Sequence, residues 1–278
     1  MPAIFYVLVA LASLFLLYLL LLMTGARRRA AVPFMHAAYA HRGLWSKKFA
    51  ENSLSAFAAA VKAGVGIELD VQLSKDGEVV VFHDDHLKRV TGVDARVREK
   101  TAKELASLSL SETEDGVPTL KEVLALVGGR VPLLIELKSE YQRTLLCEKT
   151  AAILDGYKGD YMIESFHPLI VGWFRRHRPA VVRGQLYSWV FNKKTGRSAA
   201  MLVLSLLLLN VYARPDFMAY DIEHTASLPL RLSFLWRPYR VAWTVRKKEE
   251  LLKAKGANTV IFESIEEDVL GAIKGDKV

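Results

Sequence analysis

A single cysteine, Cys147, stands in 278 residues. That excludes an intrachain disulfide framework and any zinc module built on several thiolates. The lone thiol fits a reducing compartment. Charged residues make up only 24% of the chain and hydrophobic ones 51%, so it is no disordered polar tail. No tandem period of about 20–50 residues is visible, which removes solenoids and propellers. Helix-turn-helix, zinc-finger and RNA-recognition signatures are also missing. The net charge of +8 therefore does not argue for nucleic acid by itself.

Charge is absent from one stretch altogether. Ala3 to Met23 reads AIFYVLVALASLFLLYLLLLM, with no charge, Gly or Pro. A bilayer core of ~30 Å needs ~20 apolar residues in a helix. Arg27, Arg28 and Arg29 follow the run. A cleaved signal carries its basic residues first and has a shorter run, about 7–15 residues. The order here predicts a retained membrane anchor over residues 1–29. The arginines place the following domain in the cytoplasm, tethered to the cell membrane by a single pass. No polar face marks the run as a buried core helix.

What remains, residues 30–278, suits one barrel domain of ~250 residues. Its charge is uneven: residues 30–140 carry a net −2 and residues 171–255 a net +11. A basic half can attract an anionic leaflet, the simpler partner beside an anchor, or can be an ordinary solvated face.

Short β-branched runs alternate with helix-like stretches from Ala38 onward. Strands are expected at Ala38–Gly43, Gly66–Leu73, Pro132–Lys138, Tyr161–Phe166, Val181–Ser188, Phe217–Ile222, Arg240–Val245 and Thr259–Glu263. Amphipathic stretches such as Ser53–Ala63, Thr119–Val127 and Arg246–Lys255 separate them, as parallel βαβ units require. Eight such strands close a barrel. Glu78–His83 follows Gly66–Leu73 after a short Asp-Gly turn, so it should pair as an antiparallel hairpin and bring His83 to the barrel top. Residues 85–118 read as an insertion of small helices and turns. Met201–Leu209 and Leu228–Trp236 are unusually apolar. They fit either helices buried on the sheet or a membrane-facing rim.

Acidic side chains cluster at the expected strand ends. Glu68 and Asp70 lie two apart, and so do Glu136 and Lys138, which puts each pair on one strand face. The carboxylates could hold a hard divalent ion or form a structural ion-pair network with Lys138. His41 and His83 fall where the strands converge and can serve as general acid and base. Arg42 offers a guanidinium fork for phosphate. Glu51 and Asn52 begin the next loop. His86, His167, His177 and His224 read as structural or surface groups.

The ordered set His41-Arg42-Gly43, Glu51-Asn52, Glu68-Leu69-Asp70-Val71, His83-Asp84, Pro118-Thr119-Leu120 and Glu136-Leu137-Lys138 resembles the glycerophosphodiester phosphodiesterase family. Weaker matches continue through Ser165-Phe166 and Trp243-Thr244-Val245. The resemblance implies an α/β fold, a (β/α)₈ TIM barrel with a small insertion after the second strand, preceded here by the transmembrane helix. It implies a divalent cation, Mg²⁺ or Ca²⁺, on Glu68, Asp70 and Glu136, with His41 and His83 as acid and base in an order left open. Arg42 and Lys138 would neutralise phosphate; Glu51, Asn52, Ser165 and Trp243 are further substrate-binding candidates. The implied reaction is hydrolysis of a glycerophosphodiester to an alcohol and sn-glycerol 3-phosphate. A lysophospholipase D acting on membrane lysophospholipids and a non-catalytic barrel scaffold are the alternatives. One departure stands out: the last strand ends in Glu263-Ser264, where the family more often has Thr-Asp or Thr-Asn. The motifs do not bear on oligomeric state.

Overall fold

The computed structural model describes residues 2–25, 32–138, 141–191, 198–263 and 271. Arg27, Arg28 and Arg29, which carry the expected sidedness of the anchor, lie outside these residues. The chain passes through β1 (Tyr39–Ala40), β2 (Gly66–Leu73), the hairpin strand β3 (Val79–Val81), β4 (Leu133–Leu137), β5 (Tyr161–Ser165), β6 (Val182–Tyr187), β7 (Phe217–Asp221), β8 (Tyr239–Val245) and β9 (Thr259–Phe262). All but β3 run parallel and close into an eight-stranded barrel. The seam is β1, where Tyr39 faces Gly66 on one side and Ile261 on the other. β3 folds back antiparallel on β2, with Val81 opposite Val71.

Period-two alternation divides each strand between two apolar layers. Ile67, Leu69 and Val71 pack outward against the helices, as do Leu133, Ile135 and Leu137. Leu134, Met162, Val182, Phe217, Val241 and Ile261 fill the barrel interior, where Phe34 joins them from the segment before β1. Burial on both faces explains why these strands read as near-continuous hydrophobic runs. Gly184 matters to this interior: a Cβ there would lie 2.0 Å from the Phe217 ring.

Local signals set the outer helices. The Ser53 hydroxyl accepts from the Ala56 N–H and starts the helix Leu54–Ala63, which Gly64 ends at φ 68°. A reciprocal cap between Thr119 and Glu122 starts Leu120–Val127. The insertion holds the short helices Lys88–Thr91 and Ala102–Ala106 around a small core that includes Phe82, Leu87 and Leu105.

Two expectations change. β1 stops at Ala40 because Arg42 (φ 58°) and Gly43 (φ 83°) turn the chain. The helix expected over Arg246–Lys255 is a 3₁₀ turn, Lys248–Leu252. There Glu250 reaches back to the backbone N–H groups of Arg246 and Lys247, and Gly256 at φ 88° breaks the chain soon after.

The N-terminal helix, Pro2–Leu21, is exposed along most of its length, and Ala3–Leu21 is long and apolar enough to cross a membrane. Its last turn docks on the barrel wall. Tyr18 donates its hydroxyl to the Leu206 carbonyl (3.2 Å), and the Trp236 indole donates to the Leu19 carbonyl (2.9 Å). Leu22 is fully buried, and the Gly25 N–H donates to the Pro215 carbonyl (2.7 Å). The two apolar stretches divide between both readings: Leu207 and Leu230 are buried, while Leu202, Leu228 and Leu235 are exposed.

Candidate active site

The inward face of β2, β4 and β5 carries four carboxylates. Asp70 sits in register with Glu136, and Glu136 with Glu164; Glu68 lies one inward step below Asp70. All four are buried. Ligand oxygens of Glu68, Asp70 and Glu136 lie within 4.8 Å of one another. Lys138, the next inward residue on that strand, reaches Glu136 at 2.9 Å and Asp70 at 3.1 Å. Both alternatives left open by the sequence, ion-pair network and cation site, thus share Asp70 and Glu136, while Glu68 belongs to the carboxylate cluster alone.

Arg42 and Asn52 complete the acidic floor. The Arg42 backbone N–H donates to Glu68 (2.9 Å), and its side chain donates to Glu51 (2.7 Å) while lying 3.6 Å from Asp70. The Asn52 amide donates to Asp70 (2.8 Å). Arg42 and Asn52 both hold positive φ, and the Asn52 N–H donates to the Arg42 carbonyl (2.9 Å). Strained backbone is retained where neighbours over-determine it; here two left-handed residues brace one another beneath the site.

The histidines stand over this floor. His41 follows β1, and its Nδ1 lies 3.1 Å from Glu263, which also pairs with Arg246. His83 follows the hairpin, and its Nδ1 lies 2.5 Å from Asp84. Arg89 ties Asp84 to Glu51, at 2.6 Å to each. A carboxylate on Nδ1 fixes the imidazole tautomer and leaves Nε2 for chemistry.

Burial and neighbours pull the titrating groups apart. Burial lifts the Glu68 carboxyl well above the usual range, and the adjacent Asp70 and Glu136 add to it. Burial also lifts Glu136 to about 7 against the opposing pull of Lys138. At Asp70 burial is outweighed by Lys138, His83, Arg42 and the Asn52 amide, which hold it well below the usual range. Burial lowers both histidines, only partly offset at His41 by Glu263 and at His83 by Asp70.

One cavity of about 220 Å³ opens at the C-terminal ends of the strands, where parallel barrels carry their sites. His41, Arg42, Glu68, His83 and Glu136 line it, with Trp243 and Phe166 on the opposite wall. Those two rings meet edge to face at 5.7 Å, and the Trp243 indole N–H has no hydrogen-bond partner among the described residues. The remaining candidates sit behind the cavity. Glu51 and Asn52 brace Arg42 and Asp70. The Ser165 hydroxyl donates to the Leu137 carbonyl (2.7 Å) and accepts from the His167 N–H, tying β4 to β5. His167 caps the next helix, His177 stacks on Trp173 and His224 pairs with Asp221.

Glu164, Thr244 and Arg246 also line the cavity and were not singled out from sequence, nor was Arg89. The inward spacing Met162, Glu164, Phe166 could have revealed Glu164. Arg89 carried no such signal, because its partners come together only in the fold.

Residues 41–219 match the sequence profile of the Glycerophosphoryl diester phosphodiesterase family. A glycerophosphodiester phosphodiesterase of Bacillus altitudinis is 36% identical over 155 residues, covering 51% of this chain and 63% of its own. A lysophospholipase D of Homo sapiens is 31% identical over 175 residues, covering 58% of this chain and 54% of its own. The chain thus spans little more than half the length of these curated relatives. Among solved structures, a glycerophosphodiester phosphodiesterase of Thermotoga maritima superposes with a TM-score of 0.66 at 27% identity, covering 84% of this chain and 96% of its own. An Oleispira antarctica phosphodiesterase in complex with the product sn-glycerol-3-phosphate shares the fold, with a TM-score of 0.69 at 23% identity over 84% of this chain and 94% of its own.

Proposed function

The chain belongs to the glycerophosphoryl diester phosphodiesterase family, and from that premise we propose that it hydrolyses glycerophosphodiesters to an alcohol and sn-glycerol 3-phosphate at the 220 Å³ cavity. The observation that carries the proposal is the convergence on that cavity of two carboxylate-bound imidazoles, one guanidinium, and Glu68 and Glu136 of the carboxylate cluster, with Asp70 directly behind them. Glu68, Asp70 and Glu136 fit a hard divalent cation such as Mg²⁺ or Ca²⁺: all three offer carboxylate oxygen at close quarters, and Glu68, buried beside the other two, has no salt bridge among the described residues. Such a cation, when bound, supplies Lewis-acid stabilisation of phosphoryl oxygen charge.

The chain's own groups do the rest. Arg42 faces the cavity and orients a phosphodiester by its fork; Lys138 holds Asp70 and Glu136 in place and adds positive charge. One imidazole takes a proton from the nucleophile, water or the neighbouring glycerol hydroxyl, whose oxygen forms the new P–O bond; in the second case water then opens the cyclic phosphate. The other delivers a proton to the leaving alkoxide oxygen as its P–O bond breaks. Trp243 and Phe166 give the glycerol carbons an apolar wall. Glu51, Asn52 and Ser165 act as positioning residues.

The test is release of sn-glycerol 3-phosphate from glycerophosphocholine by the full chain in detergent. EDTA should abolish it, Mg²⁺, Ca²⁺ or Mn²⁺ should restore it, and Glu68→Ala should lack it throughout. Release that resists EDTA would reject the cation; no release from any diester would favour the scaffold reading.

The apolar N-terminal helix favours a second substrate class, lysophospholipids cleaved as by a lysophospholipase D. Faster turnover of lysophosphatidylcholine than of glycerophosphocholine would support it. In this reading residues 1–29 form a single-pass anchor, residues 30–278 the catalytic barrel, and the barrel lies on the cytoplasmic side.

A further inference from the structure

We infer that the N-terminal helix holds the barrel with its active-site mouth against the bilayer, so that the rim of the mouth is a lipid-binding surface. The inference rests on the reading of that helix as a membrane anchor.

The first observation is the direction of the helix along the wall. Tyr18 bonds Leu206, whose neighbour Ser205 accepts from the Tyr187 hydroxyl at the C-terminal end of β6 (3.3 Å). Leu19 bonds Trp236, just before the start of β8, and Gly25 bonds Pro215, just before the start of β7. The segment from Tyr18 to Gly25 therefore runs from the mouth end of the barrel toward its base. The helix axis extended backward carries Pro2–Leu17 past the mouth, since sixteen helical residues cover ~24 Å. Of these, Ala3–Leu17 is exposed and apolar throughout. The bilayer they would enter lies beyond the mouth, not beneath the base.

The second observation is independent of the helix. Five of the eight exposed large apolar side chains elsewhere among the described residues gather at the same end. Phe49 and Tyr141 stand on loops that follow β1 and β4. Leu169, Leu202 and Leu228 (65% exposed) stand in the first turns of the helices that follow β5, β6 and β7. Val32 and Leu235 lie at the base, Leu235 beside Trp236 just before β8, and Leu252 stands on the connection from β8 to β9, three against the five at the mouth. Leu202 and Leu228 stand on the helices Ala199–Ser205 and Leu228–Ser233, which lead to the helix's partners Leu206 and Trp236.

Charge at the mouth fits anionic or zwitterionic headgroups. Lys47 and Lys48 precede Phe49, Arg143 stands two residues after Tyr141, and Arg246, Lys247 and Lys248 follow β8, all exposed. Among the nearby acids, Glu250 caps the Arg246 and Lys247 backbone, Glu223 pairs with Lys253 at 2.5 Å, and Glu263 pairs with Arg246, leaving Lys47, Lys48 and Lys247 among the cations turned outward. Aromatic and leucine side chains interleaved with lysine and arginine suit the interface, where apolar groups dip in and cations meet phosphate. The basic half of the sequence thus divides between two ends. Arg175, Arg176 and Arg178, at the far end of the helix Pro168–His177, point to the base instead.

The test uses the full chain reconstituted in phosphatidylcholine vesicles containing phosphatidylglycerol. Nitroxide labels are placed at Leu8→Cys, Leu202→Cys, Leu228→Cys and, on the base loop before β5, Lys158→Cys. Buried Cys147 can stay in place. Relaxation by oxygen is compared with relaxation by a polar nickel chelate. Labels at 8, 202 and 228 should favour oxygen several-fold, and the label at 158 should favour the chelate. Lipid-like behaviour at 8 with water-like behaviour at 202 and 228 would overturn the orientation and leave the anchor standing. Lipid-like behaviour at 158 would invert the barrel and likewise overturn it. Water-like behaviour at every site would remove both the orientation and the anchor.

Discussion

Glu263 should govern the proton affinity of His41, and Glu263→Gln isolates that effect. The carboxylate lies 3.1 Å from His41 Nδ1, both side chains are mostly sheltered, and the substitution keeps shape while removing charge. A hydrogen bond to a charged partner contributes ~1.5–3 kcal/mol, and the Gln oxygen retains part of it. The net loss on forming the imidazolium is then ~1–2 kcal/mol, or ~5- to 30-fold in kcat/KM. The sign in pH follows from the balance at His41. Burial lowers its pKa and Glu263 raises it, so removing the carboxylate lowers it further. The limb of the kcat/KM profile set by His41 should move to lower pH, and Glu263→Asp, which keeps the charge, should recover most of that shift. Arg246, also paired with Glu263, is more than half exposed, so water can replace its lost partner. A uniform fall in activity with both limbs unmoved would refute the reasoning and leave Glu263 a structural residue.

Three further outcomes are expected. Gly184→Ala should lower the melting temperature by several degrees in a thermal circular-dichroism scan, because its Cβ would meet the Phe217 ring at 2.0 Å and overpacking costs ~1–3 kcal/mol. In EDTA the protein should lose stability as pH rises from 4.5 through about 7, since burial raises the Glu136 carboxyl over that window and the folded state there holds the extra proton; Glu136→Gln should flatten the slope, and adding Ca²⁺ or Mg²⁺ at pH 8 should restore the melting temperature. Burial pushes the Cys147 thiol up to about 12, so iodoacetamide should modify it only under denaturing conditions, read as one added mass by mass spectrometry.

The barrel was legible because its strands are buried on both faces and so appear as unbroken β-branched runs. Gly66–Leu73 emerged with the expected limits, and the Asp76-Gly77 turn correctly foretold an antiparallel strand leading to His83. The acidic trio was legible because it follows period two, a strictly local rule. Features made by tertiary contact were hidden. Arg89 meets Glu51 across 38 residues, and His41 meets Glu263 across 222; no local spacing encodes either pair. Glu51 and Asn52, which begin the loop toward the next helix, and Ser165 are substrate-binding candidates on the family resemblance. Their side chains turn instead to neighbouring protein groups, because a buried carboxylate or an open strand end needs a partner in the protein itself.

The two-residue seam at β1 links assembly to catalysis. The His41 N–H donates to the Phe262 carbonyl at 2.8 Å, so the first histidine of the site is positioned by the last barrel strand. Joining those segments closes a loop spanning most of the chain, which sets a high contact order and makes docking of β9 a natural late event in folding. A partly folded chain with β2 to β8 already paired would hold the acidic trio, Lys138 and His83, yet lack a seated His41. Hydrolysis would then report completion of the barrel rather than its onset, with cation capture possible before turnover.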